Sequence, residues 1–359
     1  MSRTPASAYV VGPLYDWLFF LSPPLVCLGL GALVSSTSLV DAPLSIAGRE
    51  THLATLVVGV FIHAHLAAVF LRSHGDRTRL RAFPVRFLVV PPLLFAAIAS
   101  SRVVAITATV VAAFWDVYHS GAQTFGFARL YDQRAGNPPD EGRRLDFVLN
   151  QLLYAGPILG GATLFEHLSV LESFDEVGLH ALADLPAAID SHAATLARAT
   201  LLGGLAFVAL YVLAYARLHA RGHVVAWPKV FLVASTGLVS IATWTFDPFG
   251  VAFLVMNLFH AIQYLALIWV TDARPTARAT AERLPVARAL ALYLVAVFAY
   301  GTWAELVPPR GGPWALTLVV SLLHFWYDGF LWSVRKRDVL ADASVATGRG
   351  AGGRDTLPT

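Results

Sequence analysis

Hydrophobic residues in this chain come in long unbroken runs rather than in short alternation. A bilayer span needs about 20 mostly apolar residues, and runs of that kind predict ten membrane helices, at residues 14–34, 52–71, 83–100, 103–127, 145–165, 193–216, 228–244, 251–270, 286–306 and 313–334. Pro23-Pro24 and Pro91-Pro92 predict kinks in the first and third. Gly156-Pro-Ile-Leu-Gly160 in the fifth is a small-xxx-small pattern, suited to close helix contact. Between the fifth and sixth spans, Leu168, Leu171, Phe174 and Val177 recur at mixed spacings of three and four. That stretch reads either as an amphipathic helix on the membrane surface or as a plain connection. The end of the chain is rich in Gly, Ala, Ser and Thr without an apolar period, which reads as disordered. The expected architecture is an all-α polytopic helix bundle over residues 1–337 with a disordered tail over 338–359.

Charge between the runs orients the bundle. Basic residues cluster after every second span: Arg72, Arg77, Arg79 and Arg81; Arg129, Arg134, Arg143 and Arg144; Arg217, Arg221 and Lys229; Arg274, Arg278 and Arg283; Arg335, Lys336 and Arg337. The alternate loops hold Arg49, Arg102 and Arg310, and the longest of them is acidic, with Glu172, Asp175, Glu176, Asp184 and Asp190. Basic residues flanking spans mark the cytoplasmic side, so both termini are expected there and the span count is expected to be even. The first run lacks a small-residue cleavage site and reads as a retained span.

Polar residues inside the runs carry the candidate chemistry. Such groups are costly at membrane depth and normally face the bundle interior. The second, fourth, eighth and tenth spans all run from outside to inside under this orientation. Each carries histidine in its middle or inner half: His63 and His65, His119, His260, and His324. His65, His119, His260 and His324 lie 7, 10, 14 and 11 residues before the first basic residue of their cytoplasmic ends. At 1.5 Å per residue they fall within one or two turns of a common depth. The oppositely directed spans have no interior histidine. His63 and His65 are about 200° apart around a helix, so only one of them can face inward.

Neutral imidazole is the usual nitrogen ligand of Fe, Cu and Zn, and its other N–H is normally taken by a carboxylate or carbonyl. Asp116 lies three residues before His119 and Asp328 four after His324; Asn257 and Gln263 flank His260 at three residues either way, and Gln123 shares the Asp116–His119 face. The metal candidates are therefore His63, His65, His119, His260 and His324. Asp116, Asp328, Gln123 and Gln263 are the candidates for orienting the imidazoles, and the aspartates are also candidate ligands. The other histidines, His167, His180, His192, His219 and His223, read as solvated or interfacial. Tyr131, Trp227, Trp244 and Trp332, near span ends, read as interface anchors.

Composition narrows the class. The chain is 57% hydrophobic and 14% charged, against about 25% charged for soluble domains. The net charge of +3 comes without a basic cluster interleaved with aromatics, which gives no case for nucleic acid. Cys27 is the sole cysteine, which excludes a thiolate cluster or an intrachain disulfide. The absence of HExxH speaks against a zincin-type protease. The histidine spacings HxxxH and HxxHH of membrane di-iron desaturases are absent as well.

Scattered single histidines in apolar helices, with aspartates nearby, resemble the Brp/Blh carotenoid-cleaving dioxygenases. His119-Ser-Gly-Ala and Thr124-Phe-Gly resemble that family's PHGAxD and HFGxxD motifs, while its HSxRH-like pair is absent. The resemblance covers a few short stretches and implies iron and a lipid-like substrate. The expected function is an integral membrane metalloenzyme, a non-haem iron oxygenase or hydroxylase with a lipophilic small-molecule substrate. Zn and Cu are the other metals considered. Haem held by facing histidines, and a transporter or proton relay using the same His/Asp pairs, are the alternatives. The expected location is a bacterial inner membrane.

The loop alternation is testable directly. A reporter fused at Glu176 is expected to read out the non-cytoplasmic side and one fused at Arg217 the cytoplasmic side; a cytoplasmic signal from Glu176 contradicts the orientation.

Overall fold

The structure, a computed structural model, describes residues 8–37, 43–46, 49–275 and 285–332. The expected disordered tail, and the basic residues Arg278, Arg283, Arg335, Lys336 and Arg337, lie outside the described residues. In chain order the helices are α1 (Pro13–Leu21), α2 (Pro23–Ser35), α3 (Leu53–His74), α4 (Arg77–Ala82), α5 (Val85–Ser100), α6 (Arg102–Arg134), α7 (Arg143–Leu159), α8 (Leu164–Val177), α9 (His180–Ala183), α10 (Leu185–Asp190), α11 (Ala193–Ala220), α12 (Trp227–Phe246), α13 (Phe249–Ala273), α14 (Val286–Leu306) and α15 (Gly311–Leu331). A short antiparallel hairpin, Pro43–Ile46 with Arg49–His52, separates α2 from α3 and pairs Leu44 with Thr51. The apolar-run pattern does not foresee it, because four-residue strands are below its resolution.

The protein is an all-α membrane protein. Among the described residues seven helices, α3, α6, α11, α12, α13, α14 and α15, are individually long and apolar enough to cross a bilayer. Two bent pairs raise that number to as many as nine: α1 with α2, bent by 45° at Ser22-Pro23-Pro24, and α7 with α8, bent by 105°. The expected third span is the shorter apolar helix α5. The expectation of ten uninterrupted spans is therefore too simple. Proline removes an N–H and breaks the first run, as its position predicts. In the fifth, Gly160 and Gly161 end α7, and Ala162 N–H instead donates to the Thr245 carbonyl.

Burial sorts the helices into centre and rim. α13 is the hub, with 83% of its spanning window buried, and it packs against α2, α3 and α12. α11 is the extreme rim: it buries none of its residues and exposes Leu201, Leu202, Leu205, Leu210 and Leu213. That apolar surface suits hydrocarbon, not water. Its seat on α7 is the predicted small-residue pattern: a Cβ added at Gly156 would meet Thr200, and one added at Gly160 would lie 3.6 Å from the Ala197 Cα. The closest approach among the spans is α3 to α14, where a Cβ at Gly301 would overlap the Val60 carbonyl and lie 3.0 Å from the Ala64 nitrogen. The amphipathic stretch after α7 is helical, and its Phe174, Leu171 and Val177 pack on Ile106 and Val110 of α6. This favours the helical alternative over the plain loop.

At the arginine-rich end, several basic residues read as loop markers are buried ion-pair partners. Arg129 donates to Asp132 Oδ2 at 2.7 Å and to Asp146 Oδ2 at 2.5 Å. Lys229 reaches the same two oxygens at 2.7 and 2.8 Å. Tyr211 and Tyr215 donate to the other oxygen of Asp146. α6, α7, α11 and α12 are thereby pinned by one charge cluster. His223, expected to be solvated, is buried beside it and hydrogen-bonds Glu141 at 2.6 Å. A second cluster joins Arg72 and Arg79 to Asp272 at 2.8 and 2.6 Å. Tyr131 and Trp244, expected at the interface, are buried instead; Tyr131 donates to Asp16 Oδ2 at 3.1 Å. Trp227 is 72% exposed, as an anchor requires.

Two substitutions test this packing. Lys229→Met leaves Asp132 and Asp146 facing each other with one cation fewer, and breaking a buried ion cluster is expected to cost about 3–5 kcal/mol. Gly301→Leu forces α3 and α14 apart and is expected to cost at least about 1–3 kcal/mol. Thermal unfolding in detergent should show both losses, with Trp227→Leu close to wild type.

Candidate metal centre

Helices α3, α6, α13 and α15 are distant in sequence, yet α3 packs on α13 and α15, and α15 packs on α6. Gln123 of α6 closes the ring by donating to the His260 carbonyl of α13 at 3.1 Å. One histidine from each helix points into the space between them. Ring centroids lie 5.0 Å apart for His65–His260, 5.0 Å for His65–His324, 5.3 Å for His119–His260 and 4.7 Å for His119–His324. The four imidazoles thus form a closed quadrilateral, and all four residues are buried.

Two of the ring nitrogens approach closely. His119 Nε2 and His324 Nε2 are 3.1 Å apart. The Nδ1 of His324 faces the Leu66 carbonyl at 3.2 Å; a proton on that nitrogen leaves Nε2 as a lone pair aimed at His119. The Nε2 atoms of His65 and His260 are buried without a hydrogen-bond partner. Unmet polar atoms of this kind are costly in an apolar interior. Metal–nitrogen bonds of about 2.0–2.1 Å put adjacent ligand nitrogens roughly 3 Å apart, close to the His119–His324 spacing.

Asp328 joins the cluster from α15, one turn after His324. Its Oδ1 accepts from Tyr264 Oη at 2.8 Å and from Trp332 Nε1 at 2.9 Å. Those two bonds hold the carboxylate so that Oδ2 faces His324 Nε2 at 3.6 Å and His119 Nε2 at 3.8 Å. His119, His324 and Asp328 offer ligand atoms that all lie within 4.8 Å of one another. Tyr264 and Trp332 were missed as site residues. Tyr264 is adjacent to Gln263, and Trp332 lies four residues after Asp328, at helical spacing. Trp332, expected at the interface, instead donates its indole N–H to Asp328, and its ring centroid lies 4.0 Å from the Arg72 guanidinium carbon.

The remaining candidates are placed elsewhere or in supporting positions. His63 points away from the centre, as the 200° separation from His65 demands, and its Nε2 lies 3.7 Å from Glu305 Oε2 on α14. Asp116 does not join the histidines. It lines a separate cavity of about 280 Å³ with Ser120, Tyr154, His167, Trp244 and Asn257. A helix face is wide enough that a three-residue step carries Asp116 past the edge of the quadrilateral. Asn257 goes with it and donates to the Phe253 carbonyl at 3.0 Å. Gln263 supports the backbone, donating to the Phe20 carbonyl of α1 at 2.8 Å. Gln123 borders the site and also approaches Gln263 Oε1 at 3.4 Å.

The centre opens on a cavity of about 430 Å³. His119, Asp328, Tyr264 and Gln123 form its polar wall, and Trp115, Phe125, Phe127, Phe147, Phe325 and Phe330 form its apolar one. That is the size and character of a small-molecule site, mostly apolar with a few convergent polar groups.

Comparison of the chain with protein-family models, with curated proteins and with solved structures gives no match.

This geometry separates the two members of each ambiguous pair. Loss of a ligand should weaken metal binding far beyond the 10–100-fold typical of an outer partner. His65→Ala and His260→Ala are expected to abolish bound metal, while His63→Ala and Asp116→Asn retain it. Elemental analysis of chelator-free preparations reads both outcomes, and equal loss in His63→Ala and His65→Ala contradicts the assignment.

Proposed function

We propose that this protein is an integral membrane metalloenzyme, a non-haem iron oxygenase or hydroxylase that acts on a lipophilic substrate. The observation that carries this reading is the closed quadrilateral of buried imidazoles with two unpartnered Nε2 atoms. Four histidines and one carboxylate form a nitrogen-rich, thiolate-free donor set. Such a set suits Fe and also accepts Zn or Cu; the oxidative reading is what selects iron. His65, His119, His260 and His324 would hold the ion, with Asp328 as either a further ligand or the base beside it. Iron at this position would supply redox chemistry toward dioxygen and a C–H or C=C bond.

The chain's own contribution is placement and exclusion of water. Tyr264 and Trp332 keep Asp328 turned toward the centre. The Leu66 carbonyl orients His324. The aromatic wall of the adjoining cavity presents an apolar substrate to the His119 and Asp328 side. The expected substrate is one that arrives from the lipid. The resemblance to Brp/Blh dioxygenases agrees with this reading in architecture.

Two finer expectations belong with it: ten spans, counting α1–α2, α5 and α7–α8 as one each, and both termini in the cytoplasm of a bacterium. The alternation of basic and basic-poor loops supports both. Under that orientation the metal centre and its cavity lie toward the cytoplasmic half.

Haem is the weaker alternative. Axial imidazoles bind opposite faces of a macrocycle with nitrogens roughly 4 Å apart. The 3.1 Å spacing of His119 and His324, and the close packing of four rings, favour a bare ion.

Protein purified without chelators is expected to carry near-stoichiometric iron and to show no Soret band. Metal-free wild-type protein contradicts the enzyme and leaves the histidines as a hydrogen-bonded relay; a Soret band transfers the site to haem.

A further inference from the structure

The cavity beside the metal centre also carries a feature that the oxidative reading does not use. Apart from Asp328, which the oxygenase reading places at the ion, the one charged side chain along its described lining is Arg143. Arg143 is the first residue of α7, and its guanidinium carbon lies 5.0 Å from the centroid of the Phe125 ring. The cation therefore sits over the aromatic wall. A guanidinium has five donors in a fixed fork, which suits two-point recognition of a carboxylate alongside its existing contacts. Phe125 is six residues along α6 from His119, about 9 Å at 1.5 Å per residue.

The cavity is elongated along α6, where its lining runs from Trp115 to Leu130, about 22 Å of helix. Two glycines keep part of it clear: a Cβ built at Gly126 or at Gly329 meets nothing within 4 Å, and neither has a positive φ. A long apolar trough with a single cation partway along it fits a rod-like ligand with one negative charge.

We propose that the ligand of this cavity is a single-chain amphiphile bearing a carboxylate, with its headgroup on Arg143 and its chain laid along the aromatic wall past His119. The inference deepens the oxygenase reading by naming the substrate class. It places the reactive position within the chain, about 9 Å from the headgroup along the α6 axis, rather than at the carboxylate.

Equilibrium binding of radiolabelled hexadecanoate, hexadecanol and hexadecyl phosphate to the purified full chain in nanodiscs tests it, with metal content measured on the same samples. Wild type is expected to bind hexadecanoate at least ten-fold more tightly than hexadecanol. Arg143→Gln is expected to lose that advantage while keeping wild-type affinity for hexadecanol, which also reports that the cavity is intact. Arg143→Lys should restore part of the advantage, since it returns the charge without the fork. Gly126→Leu, which fills the trough without backbone strain, should abolish binding of both. Unchanged hexadecanoate affinity in Arg143→Gln, equal affinity of wild type for acid and alcohol, or preference for the phosphate over the acid each overturns the proposal. Metal content separates the two readings: metal-free protein with Arg143-dependent acid binding refutes the oxygenase and supports the ligand assignment, and metal-loaded protein without acid preference does the reverse.

Discussion

A polar atom buried in an apolar interior must find a partner, and most of what distinguishes this bundle follows from that cost. Four imidazoles on four helices have been taken out of contact with water. Each can be satisfied only by a neighbour, by a backbone carbonyl or by a shared guest. His324 uses the Leu66 carbonyl for one nitrogen and turns the other toward His119. His65 leaves both ring nitrogens, and His260 its Nε2, without a hydrogen-bond partner. The convergence brings α3, α6, α13 and α15 around one point, where ligand atoms of His119, His324 and Asp328 lie within 4.8 Å of one another.

The same cost acts at the arginine-rich end with opposite consequences. There the buried charges are matched within the chain. Asp132 and Asp146 take both Arg129 and Lys229, with Tyr211 and Tyr215 on the remaining oxygen. Asp272 takes Arg72 and Arg79. These clusters hold the ends of α3, α6, α7, α12 and α13, and Arg72 in turn packs on Trp332, whose indole positions Asp328. The histidine cluster is thus braced through Asp328 by a charge cluster outside the ring of imidazoles. A substitution at Arg72 would reach the centre by this path, through packing rather than through charge.

Substrate access is a question of which wall is apolar. The centre's cavity is lined by aromatic rings together with His119, Asp328, Tyr264 and Gln123. A separate cavity, holding Asp116, Asn257 and His167, lies on another side of α6 and α13. Asp116 and His119 occupy one helix and differ by three residues, yet they serve different spaces. The division arises because α6 is packed on more than one face, by α7 and α12 as well as by α15.

Sequence alone determined the class of the protein, the position of its apolar helices, the proline break after α1, the small-residue face of α7 suited to close contact, and the four helices that carry interior histidines. These are properties of local composition and period: hydrocarbon demands long apolar runs, and proline and glycine act where they stand. The sequence also limited the inward choice to one of His63 and His65, because a two-residue step turns a helix by about 200°. Only the tertiary structure decided that His65 is the one, that Asp328 joins the centre while Asp116 leaves it, that Tyr264 and Trp332 hold the carboxylate, and that Arg72, Arg129 and Lys229 are buried ion-pair partners and Arg79 a half-buried one. Among the described residues it also gave seven long helices, two bent pairs and the short α5 where ten spans were expected. A helical period says which residues share a face, but a face is broad and can touch more than one neighbour. Which neighbour a given side chain meets depends on the rotation and tilt of helices brought together from far along the chain, and no local pattern encodes that.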